Sequence, residues 1–147
     1  MTAQEALFNA YRGKRLLLDA NLLLLFLIGT FDRSLFARFK RTAGFSANDF
    51  DVLANILPFF RHLITTPQLL TEVSSLANAL PEWLKPDWHS HLRHHATGLF
   101  EVLIPSVELM QLPTFLPFGL ADGSIFGVAA DTLILTEDFR LSGFLHP

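Results

Sequence analysis

"RLLLDANLLLLFLIG", residues 15–29, is the stretch on which the fold turns. Three leucines after Arg15 lead into Asp19, and a short, nearly continuous apolar run of this kind is the pattern of a strand covered on both faces. "ANLLLLFLIG" then reads as a helix ending near Gly29. Burying an unpaired carboxylate costs several kcal/mol or more, so Asp19 must reach water, a partner or a metal ion.

Working outward, residues 3–12 are predicted to form an opening helix stopped by Gly13. "RSLFARFKR" (33–41) alternates basic and apolar side chains at helical spacing. "SANDFDVLANILPFF" (46–60) offers Ser46 or Asn48 as N-cap of a helix that Pro58 ends or kinks. "RHLITTP" (61–67) is predicted as a second strand, passing into a helix with Thr66 as N-cap and Pro67 in its first turn. Pro81 and Pro86 are read as breaks. Residues 87–97 are expected to be helical, "LFEVLIP" (99–105) a strand, and "SVELMQL" (106–112) a helical turn or more. A helix from about Leu120 to Ala130, a strand "TLILT" (132–136) and a final helical turn beginning in "EDFRLSGFL" complete the chain. Strands alternating with helices indicate βαβ units and a parallel sheet, with polar functional residues collecting at its carboxyl edge.

Composition bounds the function. The 147 residues are read as one domain, 1–147, and half of them are hydrophobic. Mean hydropathy is +0.36, and the 15 phenylalanines suit a buried sheet together with an oligomer or partner interface. No stretch approaches the roughly 18 consecutive apolar residues that span a bilayer, and the N-terminus lacks the pattern of a signal peptide. No cysteine is present, which removes disulfides and thiolate chemistry and fits a cytoplasmic protein. A net charge of −3 argues against a general nucleic-acid coat, but not against a nuclease, whose clustered carboxylates a bound cation reverses locally.

Four carboxylates stand out by position. Asp19 ends the first strand, Glu72 lies in the helix after the second, Asp122 precedes the last strand, and Asp138 follows it two residues after Thr136. In a parallel sheet all four lie towards the carboxyl edge. Convergent carboxylates repel one another unless a divalent cation sits between them, and an all-oxygen set suits Mg²⁺ or Mn²⁺.

"LLLDANLLL", "ITTPQLLTEVSSL", "GLADGSIF" and "LILTEDFRL" occur in the order and context of the PIN-domain family of metal-dependent nucleases, which the chain resembles over roughly residues 14–142. The resemblance implies a three-layer α/β/α sandwich with a central, mainly parallel sheet of four or five strands. It implies Asp19, Glu72, Asp122 and Asp138 as catalytic metal-holding residues, with Asn21 and Thr136 as supporting polar groups. The implied activity is Mg²⁺- or Mn²⁺-dependent cleavage of single-stranded RNA. Many small bacterial members are toxins of type II toxin–antitoxin pairs, usually dimeric and held inactive by an antitoxin, so an antitoxin protein and a homodimer are implied partners. The chain departs from the family at Gly123 and Ser124, where better helix formers are usual, and the segment from about 81 to 118 aligns only loosely.

Each assignment has a plainer competitor. Asp19, Asn21 and Asp138 suit N-caps, Glu72 a solvated helix face, and Asp122 a favourable charge near a helix N-terminus. Arg33, Arg38, Lys40 and Arg41 suit either a phosphate path beside the acidic site or an exposed helix face. Phe31, Phe36, Phe39 and Phe45 are expected in the core or an interface rather than stacked on bases. "HSHLRHH" (89–95) puts His91 and His95 at i,i+4, but zinc normally needs a third ligand, and a solvated helix face is expected. The rival to a nuclease is a catalytically inactive PIN-like binding or assembly module. A hydrolase with Asp19 as nucleophile is weakened because "DAN" lacks the second Asp of a DxD motif.

Overall fold

The computed structural model describes residues 2–39, 44–128 and 131–136. Four strands, β1 (Arg15–Leu18), β2 (His62–Thr65), β3 (Phe100–Glu101) and β4 (Thr132–Leu135), form one sheet in the order β3-β2-β1-β4, every pair parallel. Helices fill the crossovers, and the architecture is the expected three-layer α/β/α arrangement, here with four strands among the described residues.

The central position falls to β1 because its side chains have no polar face to offer. Leu16, Leu17 and Leu18 are essentially inaccessible to solvent. Each buried leucine contributes roughly 1.5–3 kcal/mol, so a strand of this composition is stable only between two covering layers. The following helix, α2 (Ala20–Phe31), continues the burial through Leu23, Leu24, Leu27 and Ile28 and runs two residues past Gly29. Gly29 is an approach point: a Cβ there would stand only 2.1 Å from the ring of Phe50 on α4 (Ala47–Ile56). Ser46 caps α4 in a reciprocal box with Asp49, and Pro58 falls in the 3₁₀ turn that ends it.

Preceding β1 is α1 (Ala3–Tyr11), which Gly13 terminates with φ 77°. The basic-apolar stretch after α2 yields only a short helix, α3 (Leu35–Arg38). Thr66 and Pro67 start α5 (Pro67–Leu76) as expected, with the Thr66 hydroxyl accepting the Leu69 N–H. Pro86 does not break the chain. It occupies the first turn of α6 (Lys85–Ala96), where a missing N–H costs nothing.

Two further expectations are corrected. The strand predicted over 99–105 shrinks to the two residues of β3, which pair only with Ile64 and Thr65 at the sheet's edge. After α7 (Ser106–Leu109), the helix predicted from Leu120 begins earlier, as α8 (Phe115–Gly123), and breaks at Gly119. That glycine holds φ 79° and ψ −169°, a region that essentially only glycine visits, so residues 120–123 start a fresh helical segment in a new direction. The segment ends in a 3₁₀ turn over Ser124–Gly127. The final helical turn expected in "EDFRLSGFL" lies outside the described residues.

Among the described residues no helix is long and apolar enough to cross a membrane.

Candidate functional site

The site is built from strand ends. The β1–β4 register pairs Leu18 with Leu135, and one further step sets Asp19 beside Thr136. The Asp19 N–H donates to the Leu135 carbonyl at 3.1 Å, so the pairing continues past the formal strand. On the other side Leu17 pairs with Ile64, so Thr66, just past the end of β2, stands at the same carboxyl edge of the sheet as Asp19.

Asp19 is itself the N-cap of α2, one of the two residues that the sequence offered for that role. Its Oδ1 accepts the Leu22 N–H at 2.9 Å, and its Oδ2 accepts the Thr136 hydroxyl at 2.6 Å. Only 3% of the residue is accessible. The carboxylate therefore satisfies its burial through a helix N-terminus and a hydroxyl from the far end of the chain. Asn21, in the first turn of α2, is half-buried.

Thr66 carries a second cross-connection. Its hydroxyl lies 2.7 Å from that of Ser124, and the Ser124 hydroxyl lies 2.6 Å from the Ala121 carbonyl. A carbonyl can only accept, so Ser124 donates to Ala121 and Thr66 donates to Ser124. Thr66 and Ser124 are both fully buried. The segment after the Gly119 break, bearing Asp122, is thereby seated on the carboxyl end of β2. Asp122 is half-buried in the first turn of that fresh segment.

Glu72 stands exposed in the second turn of α5. It lines a cleft of about 440 Å³ between α5 and α8, together with Gln68, Thr71, Ser106, Leu120 and Ala121. Gln68 braces the cleft floor by donating to the Ile104 carbonyl and the Ser106 hydroxyl, both at 3.2 Å. The structure thus brings Asp19 together with Thr136, and Glu72 together with the helical segment of Asp122. Asp138 lies outside the described residues.

The basic residues sit elsewhere. Helix α2 starts at the carboxyl edge and runs for 12 residues, about 18 Å, before Arg33 is reached. There Arg33 makes a two-pronged pair with Asp51 and lies over the Phe50 ring, lowering the Asp51 pKa by hydrogen bonding. Arg38 pairs with Asp32 at 3.3 Å. Of the two readings offered for these residues, this placement favours the exposed face over a phosphate path beside Asp19; Lys40 and Arg41 lie outside the described residues.

The histidine segment also differs from the solvated face expected. His91 turns towards α2, its Nε2 lying 3.1 Å from the Leu27 carbonyl and 2.9 Å from the Thr30 hydroxyl. Its ring packs on Phe31, Trp88 and His95. Burial lowers the His91 pKa, repulsion from His95 adds to this, and the Leu27 carbonyl opposes it. His95 is lowered likewise by burial and then by His94. Trp88 and Phe36 are buried, and Phe31, Phe39 and Phe45 pack against the core as expected.

Among the described residues no group of three or more His, Asp or Glu side chains stands close enough to hold a metal ion. Mg²⁺ asks for less, being held by one or two carboxylates with water and phosphate oxygens completing the octahedron. Carboxylate and hydroxyl oxygens at one sheet edge are the donor set of such a hard cation. Asp19, Glu72 and Asp122 fit it by chemistry.

No family model, curated protein or solved structure matches the chain.

Thr66 and Ser124 are the site residues that sequence reading passed over. Thr66 was legible only as a cap and Ser124 only as a poor helix former; their partnership has no local signal.

Proposed function

We propose that the chain is a metal-dependent endoribonuclease cleaving single-stranded RNA, with Asp19, Glu72, Asp122 and Asp138 as the acidic residues that hold Mg²⁺ or Mn²⁺. The observation that carries this reading is the Thr136–Asp19 hydrogen bond. It joins the first acidic motif to the last, so the Thr136-x-Asp138 sequence sets out from the Asp19 carboxylate.

When bound, a divalent cation supplies a lowered pKa for attacking water and offsets the charge of an in-line phosphoryl displacement. The chain's own residues do the rest. Leu22 N–H and the Thr136 hydroxyl hold Asp19 in one orientation, the Thr66–Ser124 contact holds the Asp122 segment, and the cleft beside Glu72 is where a nucleotide of the RNA would lie. In this proposal the protein works in the cytoplasm as a homodimer, and an antitoxin protein is its regulator.

One observation favours the alternative, a binding or assembly module without turnover. Leu103, Val107, Met110 and Leu116 are exposed in the segment around α7 and the start of α8, next to Ser106 of the cleft. Calorimetric titration with Mn²⁺ and cleavage of a single-stranded RNA separate the two. The nuclease reading expects Mn²⁺ binding and cleavage that Asp19→Asn abolishes; an Asp19→Asn protein that cleaves like the wild type refutes it.

A further inference from the structure

The strongest unassigned feature is the buried hydroxyl pair at the end of β2. Thr66 follows β2 at the same carboxyl edge of the sheet as Asp19, and Ser124 is two residues from Asp122. Their oxygens meet at 2.7 Å with no solvent access, across 58 residues of sequence. The Asp122 segment enters and leaves this contact through breaks in the helix. On one side it follows the Gly119 break, where a Cβ would meet nothing within 4 Å. On the other it passes from helix into a 3₁₀ turn at Ser124 itself.

The hydrogen-bond direction makes the contact specific. Thr66 Oγ1 accepts the Leu69 N–H and donates to Ser124, which donates to the Ala121 carbonyl. Both hydroxyls are committed, and the chain runs from the α5 cap into the turn that contains Asp122. Elsewhere, groups that orient metal-holding carboxylates alter metal affinity 10–100-fold when removed, without touching the metal.

We infer that Ser124, through its hydrogen bond to Thr66, is a positioning residue that seats the Asp122 segment on the carboxyl end of β2 and so tunes divalent-cation affinity. The inference rests on the acidic-site reading above.

The test uses the full chain, with Mn²⁺ as probe, in calorimetry and electron paramagnetic resonance. Ser124→Ala deletes one oxygen and is expected to weaken Mn²⁺ about tenfold or more, with a changed spectrum of bound Mn²⁺. Thr66→Ser keeps the hydroxyl and is expected to bind Mn²⁺ as the wild type does. Hydrogen exchange over residues 120–127 is read in the same variants without metal, and Ser124→Ala is expected to speed it. Unchanged Mn²⁺ affinity in a folded Ser124→Ala protein, with the wild type binding, overturns the positioning role alone. A wild type that binds no Mn²⁺ overturns the acidic-site reading and this inference with it. Faster exchange with unchanged affinity makes the hydroxyl pair structural only and also overturns the inference.

Discussion

Replacing Asp19 by alanine and by asparagine separates its structural role from its chemical one. Alanine removes both carboxylate acceptors, the Oδ1 at 2.9 Å from the Leu22 N–H and the Oδ2 at 2.6 Å from the Thr136 hydroxyl. Losing the cap costs about 1 kcal/mol. Losing a hydrogen bond to a charged group costs roughly 1.5–3 kcal/mol. The sum is about 3 kcal/mol, which in a chain of this length lowers the melting temperature by roughly 6–12 °C. Asparagine caps as well as aspartate and can turn its amide N–H to the Thr136 oxygen. Its cost is mainly the lost charge at the α2 N-terminus, about 1 kcal/mol. Urea denaturation with and without Mn²⁺ measures both roles. The wild type is expected to gain stability from Mn²⁺ and neither variant to do so. Equal destabilisation by alanine and asparagine refutes the hydrogen-bond account, and an undiminished Mn²⁺ effect in Asp19→Asn refutes the metal role.

Two other outcomes follow from the geometry. Burial lowers the pKa of His91 and His95 below the ordinary 6.5, so the unfolded chain binds more protons and the folded state loses stability as pH falls. The urea midpoint is expected to hold steady above about pH 6.5 and to decline below it until the folded pKa values are passed, with His91→Gln flattening that decline; a profile identical in the variant contradicts the packing described for α6 on α2. Gly29→Ala drives a methyl into the Phe50 ring, 2.1 Å from the Cβ position, and is expected to cost about 1–3 kcal/mol by overpacking, read by thermal unfolding.

How far the fold could be read from the residues varied with how local the signal was. Leu16–Leu18 announce a doubly covered strand because an uninterrupted leucine run has only that use at strand length. Thr66 before Pro67 announces α5 because both residues act within one turn. β3 misled because "LFEVLIP" has strand composition, yet an edge position gives it partners only at Ile64 and Thr65. α8 misled because the proline-rich residues before Leu120 gave no helical signal, whereas Pro117 falls in a first helical turn and Gly119 interrupts the helix.

The acidic site divides in the same way. That Asp19 stands at the mouth of a central strand is settled by its neighbours in sequence, through hydrophobic pattern and capping chemistry that operate over a few residues. Its hydrogen bond to Thr136 spans 117 positions, the Thr66–Ser124 pair spans 58, and the contact of His91 with Thr30 spans 61. No local preference encodes such contacts. They arise when parallel pairing of β1 with β2 and β4 lines up the strand ends, and burial then requires every polar group gathered there to find a partner.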